Sequence, residues 1–450
     1  MICEERFPLI KVLQAVEISV KVKQITRLNY FTLRSTAMGR RFSGFRLLII
    51  GVLSVAIAFG VVSPANALTD DQKLLNEAWR IIDRAYVDST FNHKNWWGLR
   101  EKYLRQPLPD REATYAAIAQ MLAVLDDPFT RLLKPDQYRS LQTTTSGELT
   151  GVGLQIALDL ETKLLKVIAP IEGSPAAKSG IQVADTILKI DGVSTEGLSL
   201  DEAAERMRGK IGSQVTLTVA REGQAAQEMV LVRDRIALNP VVAELRPQAS
   251  GKKVGYVKLS QFNANATMEV AHAIASLEKQ GAEAYILDLR NNPGGLLNAG
   301  VEIARLWLNE GTIVYTVNRQ GTIGSFEAVG SALTDDPLVV LVNQGTASAS
   351  EILAGALHDN RRATVVGEKT FGKGLIQSLF DLSDGAGLAV TVAKYETPSH
   401  TDINKLGIKP DRVVALDHPV NLDQIGTAVD NQYQAAIETV TSEALVAGTT

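Results

Sequence analysis

Five short apolar runs in the second half of this chain limit its fold more than any other feature. Residues 254–259, 284–289, 312–317, 338–342 and 363–366 are each largely apolar, and helical patterns near 268–279, 296–308 and 349–358 lie between them. Short continuous apolar runs suit strands covered on both faces, and strands that alternate with helices build a mostly parallel sheet. The expectation for about 236–418 is therefore a largely parallel, sandwiched α/β core. Residues 377–382 and 388–395 add a hairpin around Asp384-Gly385-Ala386-Gly387.

Two polar residues in this core stand among small ones. Ser348 lies in Thr346-Ala347-Ser348-Ala349-Ser350-Glu351, after the run 338–342 and before an apolar helical stretch. That order reads as strand, tight turn and helix, with Ser348 at a helix N-terminus where backbone N–H groups are unpaired. A hydroxyl there sits beside donors for an oxyanion. Lys373 lies in Phe371-Gly372-Lys373-Gly374, and burial would lower its amine enough to make it a base. On a regular strand 373, 375 and 377 share one face, so the Gln377 amide could orient that amine. A Ser-Lys hydrolase is the chemistry this points to.

Other readings fit fragments of the same residues. Gly367 to Lys373 matches most of a phosphate-binding loop, but Gly374 stands where Mg²⁺ coordination needs Ser or Thr. A triad of Ser348, His358 and Asp359 would place the imidazole ten helical residues, about 15 Å, from the hydroxyl. His358 reads instead as a helix-end residue near the negative end of the dipole. Ser350 competes with Ser348 for the nucleophile's role on local sequence alone.

These motifs together resemble the carboxyl-terminal processing peptidases, tail-specific proteases with a Ser-Lys centre. The separation of 25 residues between Ser348 and Lys373 matches that family and favours Ser348 over Ser350. The resemblance implies Ser348 as nucleophile, Lys373 as general base and Gln377 as the partner of the lysine. It implies Gly294, in Arg290-Asn291-Asn292-Pro293-Gly294-Gly295, and Ala349 as the oxyanion-hole donors. Asp359 holds the place of an aspartate that matters in some members. The resemblance runs from about residue 70 to about 415.

Residues 147–233 form a separate block of short strands and two helices. It opens on Gly151-Val152-Gly153-Leu154 and resembles a PDZ module, in which backbone N–H groups of a glycine loop hold a peptide's terminal carboxylate while the peptide adds as a strand. The matching positions are Gly151, Val152, Gly153 and Leu154. Before it, Leu74, Leu75, Ala78, Ile81, Ile82 and Ala85 recur at helical spacing. A second helix runs over 114–125 and stops at Asp126-Asp127-Pro128-Phe129-Thr130, a turn also found in the resembled family. This segment is expected to be a structural platform or dimer contact.

The fold class expected is a multidomain α/β protein, with a helical N-terminal segment and a PDZ-like β-rich module inserted before a mixed α/β sandwiched catalytic core. Its parts are 1–67, an extension and signal peptide; 68–146, helical; 147–233, PDZ-like; 234–420, the Ser-Lys core; and 421–450, a helical tail. Arg40, Arg41 and Arg46 precede an apolar stretch at 47–62 and then Ser63-Pro64-Ala65-Asn66-Ala67. That is the layout of an exported protein's signal, over about 38–67, with cleavage after Ala67. Its loss would leave a mature chain with a net charge of −10.

Composition narrows the function classes. Cys3 is the only cysteine and no His-Glu-x-x-His occurs, so neither a disulfide framework nor zinc-protease chemistry is expected. No cofactor or metal is expected, and no basic tract points to nucleic acid. The partner expected is a protein or peptide with a free C-terminus, with association at a thylakoid or inner-membrane surface. A silent PDZ scaffold would lack the Ser-Lys pair, and an amidase or esterase would not need a tail-binding module. The resemblance is strongest to the photosynthetic branch, which trims the C-terminal extension of the photosystem II reaction-centre subunit precursor in the thylakoid lumen. General tail-specific processing in the periplasm is the alternative.

Overall fold

The computed structural model describes residues 68–159, 162–418 and 424–447, so the expected signal sequence and cleavage site lie outside the described residues. The described chain begins with helices α1 (Asp70–Ala85), α2 (Trp96–Leu104) and α3 (Arg111–Ala123). Thr69 and Gln72 cap α1 reciprocally, with N–H to side-chain distances of 3.2 and 3.0 Å. Its apolar face buries Leu74, Leu75, Ala78 and Ile82, as the helical spacing predicts. A short strand β1 (Arg131–Leu133) and helix α4 (Pro135–Ser146) complete this segment. No described helix is long and apolar enough to cross a membrane.

The next block contains β2 (Glu148–Gly151), β3 (Leu154–Leu158), β4 (Leu165–Pro170), α5 (Pro175–Lys178), β5 (Thr186–Ile190), β6 (Val193–Ser194), α6 (Leu200–Met207), β7 (Gln214–Ala220), β8 (Gln227–Val232) and β9 (Asp234–Ala237). Its sheet runs β3-β4-β5-β7-β8, with β6 against β5. Alternate residues Val215, Leu217 and Val219 of β7 turn inward onto Ile187, Ile190 and Ala203. The strands that enter and leave the block pair with each other, β2 with β9, from Glu148↔Ala237 to Gly151↔Asp234.

The remaining elements are β10 (Val241–Pro247), β11 (Lys253–Leu259), α7 (Ala266–Lys279), β12 (Ala284–Asp288), α8 (Leu297–Arg305), β13 (Thr312–Asn318), β14 (Gly321–Glu327), β15 (Leu338–Val342), α9 (Ala349–Asp359), β16 (Thr364–Gly367), β17 (Leu375–Asp381), β18 (Gly387–Glu396), β19 (Arg412–Val413) and α10 (Asn431–Ala447). The core sheet runs β10-β11-β12-β15-β16-β19. It is parallel except for β10. Strand β15 shows why its sequence is apolar throughout. Leu338, Val340 and Val342 face α7, α8 and α9, while Val339 and Leu341 face Tyr433, Ala436 and Val440 of α10. Each such side chain contributes about 1.5–3 kcal/mol by leaving water.

Two expectations change here. The run at 312–317 does not join the parallel sheet: β13 pairs antiparallel with β14 and β18 in a second sheet, which also holds β1 and β17. Its Ile313 and Val314 still pack on the α8–α9 layer, so its apolar run reflects a neighbouring sheet rather than the same one. The helical N-terminal segment also shares its core with another part of the chain. Leu382, Leu388 and Val390 from the β17–β18 hairpin share a cluster with Leu74, Ile82, Ile118 and Met121. The expected helical tail is α10, and it covers the outer face of the core sheet.

Candidate active site

Three loops meet where neighbouring parallel strands end. They follow β12, β15 and β16, which are adjacent in the sheet, and they carry Gly294, Ser348 and Lys373 respectively. The carboxyl ends of parallel strands are where α/β folds usually place their sites.

Ser348 stands immediately before α9 with φ 59° and ψ −118°, a conformation a residue with a side chain adopts only when its surroundings force it. Those surroundings are specific. Its N–H donates to Glu351 Oε2 at 2.9 Å, and its carbonyl lies 3.1 Å from the Tyr395 hydroxyl. Ala347 N–H donates to Asn292 O at 3.0 Å, joining the serine loop to the Gly294 loop. Ser350 is fully buried with its hydroxyl donating to Asn292 O at 2.9 Å, so it supports the loop and presents no nucleophile.

The centre of the arrangement is Glu351, a residue that sequence reasoning does not single out. Its carboxylate is completely buried and accepts four hydrogen bonds. Oε1 accepts from Thr370 Oγ1 at 2.5 Å and Gly372 N at 2.7 Å; Oε2 accepts from Ser348 N and Lys373 N, both at 2.9 Å. One carboxylate therefore fixes the backbones of both residues of the expected dyad. Tyr395 does the same from the other side, its hydroxyl 2.7 Å from Lys373 O and 3.1 Å from Ser348 O. Burial, then the charge of Glu351, pushes that phenol well above its ordinary range, so it stays a donor. The pattern Ser348-x-x-Glu351 is the available signal, since it matches a capping box.

The Lys373 amine is half-buried and 4.9 Å from the centre of the Phe129 ring. Burial lowers its pKa, Arg131 lowers it further, and Asp127 and Glu351 oppose them. A lysine shifted in this direction is easier to keep neutral. No hydrogen bond joins the amine to the Ser348 hydroxyl or to Gln377 among the described residues. Gln377 instead donates to Thr391 Oγ1 at 3.4 Å. The strand β17 begins only at Leu375, and its pairing with β18 shifts register between Ile376 and Gln377, so the regular strand assumed for 373, 375 and 377 is interrupted.

Gly294 has φ +95°, and a Cβ there would fall 2.6 Å from Ala347 O and 2.9 Å from both Ala349 N and Ser348 Cβ. Only glycine lets this loop lie against the serine. Its N–H donates to Asn292 Oδ1 at 2.9 Å, whereas Ala349 N–H has no acceptor among the described residues. The loop is held from below by a buried charge cluster. Arg290 reaches Asp288 at 2.7 Å and Asp430, just before α10, at 2.8 Å. Burial acts to raise Asp288, but the charge and hydrogen bonds of Arg290, with Lys258 and the Tyr256 hydroxyl, together outweigh it and hold the carboxyl below its usual range.

Asp359 lies at the opposite end of α9, eleven residues and roughly 16 Å from Ser348. It meets His358 Nδ1 at 2.7 Å and accepts from Ser399 N at 3.0 Å, while His358 Nε2 faces Asp411 at 3.2 Å. These contacts give Asp359 no part in the dyad, and they exclude the Ser348-His358-Asp359 triad.

In the second block, Gly151 ends β2 and Leu154 begins β3, an edge strand with α6 beside it. The carbonyls of Val152 and Gly153 accept from Ala176 and Ile171, each at 2.9 Å. The N–H groups of Val152 and Gly153 have no acceptor among the described residues. The loop thus presents donors, as a carboxylate site requires.

Known proteins share both halves of this arrangement. Residues 253–414 match the model of peptidase family S41, and residues 166–221 match a PDZ domain. A protein of Synechocystis sp. called carboxyl-terminal-processing protease is 60% identical over 91% of this chain and 96% of its own. The chloroplastic carboxyl-terminal-processing peptidase 2 of Arabidopsis thaliana is 45% identical over 90% of this chain and 79% of its own. A solved structure of a protein called photosystem II D1 C-terminal processing protease aligns with 81% of this chain and 99% of its own, at 43% identity and a TM-score of 0.53.

Proposed function

The chain belongs to peptidase family S41, and we propose that it cleaves protein substrates near their C-termini with Ser348 as nucleophile and Lys373 as base. The observation that carries this reading is the buried Glu351 carboxylate, which accepts from the N–H groups of both residues at 2.9 Å. In this mechanism the Ser348 hydroxyl attacks the scissile carbonyl and gives its proton to the neutral Lys373 amine. The developing oxyanion takes donors from Ala349 N–H and from Gly294 N–H, once the latter leaves Asn292 Oδ1. The ammonium returns its proton to the leaving amine, and water then hydrolyses the acyl-enzyme by the same route. Gln377 is the residue the resemblance assigns to orient the base, although among the described residues its amide donates to Thr391 Oγ1.

The 151–154 loop holds the substrate's terminal carboxylate, and the tail adds to the edge of β3. The substrate is the precursor of the photosystem II D1 subunit, a reading supported by the name of the solved relative and by the cyanobacterial and chloroplastic relatives. The protein is exported to the thylakoid lumen or periplasm, consistent with the signal-like sequence at about 38–67. Mass spectrometry of reaction-centre C-termini in a strain lacking the gene tests the substrate: untrimmed tails are expected, and normal trimming would overturn it. Ser348→Ala, restored to that strain, should leave the tails untrimmed.

A further inference from the structure

The turn that ends α3 reads from sequence as structural, yet it reaches the lysine of the dyad. We propose that the 127–131 turn is a working part of the active site, in which Phe129 seats the Lys373 amine and Arg131 opposes its charge. Both are positioning residues, and the inference rests on the reading of Lys373 as base.

The turn is built to hold its place. Asp127 accepts from Phe129 N at 3.0 Å and from Thr130 Oγ1 at 2.6 Å. The same Thr130 oxygen accepts from Thr391 N at 3.0 Å, on β18, and Arg131 pairs with Ala389 of that strand. β18 also pairs with β17, which leads directly out of the lysine loop. The turn and the amine are therefore referred to one strand.

The charges that act on the amine come from two places: Arg131 and Asp127 from the turn, and Glu351 from α9. Both carboxylates already serve other donors, Glu351 four of them. Arg131 is exposed and has no ion-pair partner among the described residues, so its charge is not spent on the fold. A cation near the amine favours the neutral form a base must have. The Phe129 ring face attracts the ammonium and so favours the opposite form while fixing its position. The two residues have opposed effects on one group, which a purely structural turn would not.

The test is kcat/KM against pH for the full chain, with a fluorogenic peptide ending in a free carboxylate. The acid limb reports the free enzyme's base. Arg131→Gln should move that limb to higher pH by about half a unit, and Phe129→Leu to lower pH by about as much. Arg131→Lys and Phe129→Tyr should restore the parent limb. A limb that stays fixed in Arg131→Gln, or that moves the same way in both variants, overturns the inference. Lys373→Arg separates the two levels: if it is inactive while the limbs stay fixed, the base stands and the turn's role falls. If it turns over normally, the base reading itself falls.

Discussion

The two ends of helix α9 hold similar groups and do different things with them. At the N-terminus Glu351 is fully buried and neutralised by four donors, none of which is a cation. At the C-terminus Asp359 is partly open and leans on His358, whose other nitrogen faces Asp411. The first arrangement keeps its form at any pH where a carboxylate is ionised; the second depends on an imidazole that titrates. The proposed dyad sits at the end that is held without an imidazole. A carboxylate beside a histidine is the more familiar sign of a hydrolase, and here it lies at the end of α9 away from the proposed dyad.

The largest effect should come from Glu351→Ala. It leaves four donors unpaired, two of them buried, and each buried one costs about 1–3 kcal/mol. Activity should fall at least a hundredfold and the unfolding midpoint in urea should drop clearly; near-normal turnover would remove the distinction between the two ends. Gly294→Ala comes next, because its Cβ would meet Ala347 O at 2.6 Å in a left-handed backbone. Its kcat should fall more than its KM rises. Tyr395→Phe removes the hydroxyl shared by Ser348 O and Lys373 O, and should cost about 1–3 kcal/mol of stability with a smaller loss of kcat. The smallest effect is at the other end. Contact with Asp359 raises the His358 pKa, so its stabilisation is full below the unfolded value, about 6.5, and fades as pH rises through the folded one. His358→Gln should flatten that fall in melts taken across this range while leaving kcat within a few-fold. A large loss of kcat would show that both ends serve catalysis.

What can be read from the sequence follows from how local each feature is. β15 is legible because burial on both faces writes an uninterrupted apolar run, and Ser348 because a strand, a turn and a helix follow one another directly. Strand β13 has the same kind of run, but its membership of the second sheet is decided by pairing with residues 394–396, which local pattern does not encode. Glu351 looks like a capping residue and is one; its hold on Gly372 and Lys373 exists only because a loop 21 residues later arrives beside it. The same holds for Asp430, whose partner Arg290 is 140 residues away, and for Phe129 under Lys373. Gln377 escapes the local pattern because alternation assumes a regular strand, and the irregularity lies between Ile376 and Gln377.

The pairing of β2 with β9 has a consequence for how such a chain can change. Leu238 N–H donates to Gly147 O at 2.7 Å, so the chain leaves the core and returns to it at the same spot. Everything between is, topologically, one long surface loop, and lengthening a loop costs only about 0.6 kcal/mol per doubling. Closing the core therefore costs little more with ninety residues in that loop than with half as many. A module attached in this way can be exchanged, lost or replaced by an unrelated one without redesigning the catalytic sheet. On the proposed reading, the recognition of a substrate's tail and the cutting of its backbone are free to diverge at separate rates.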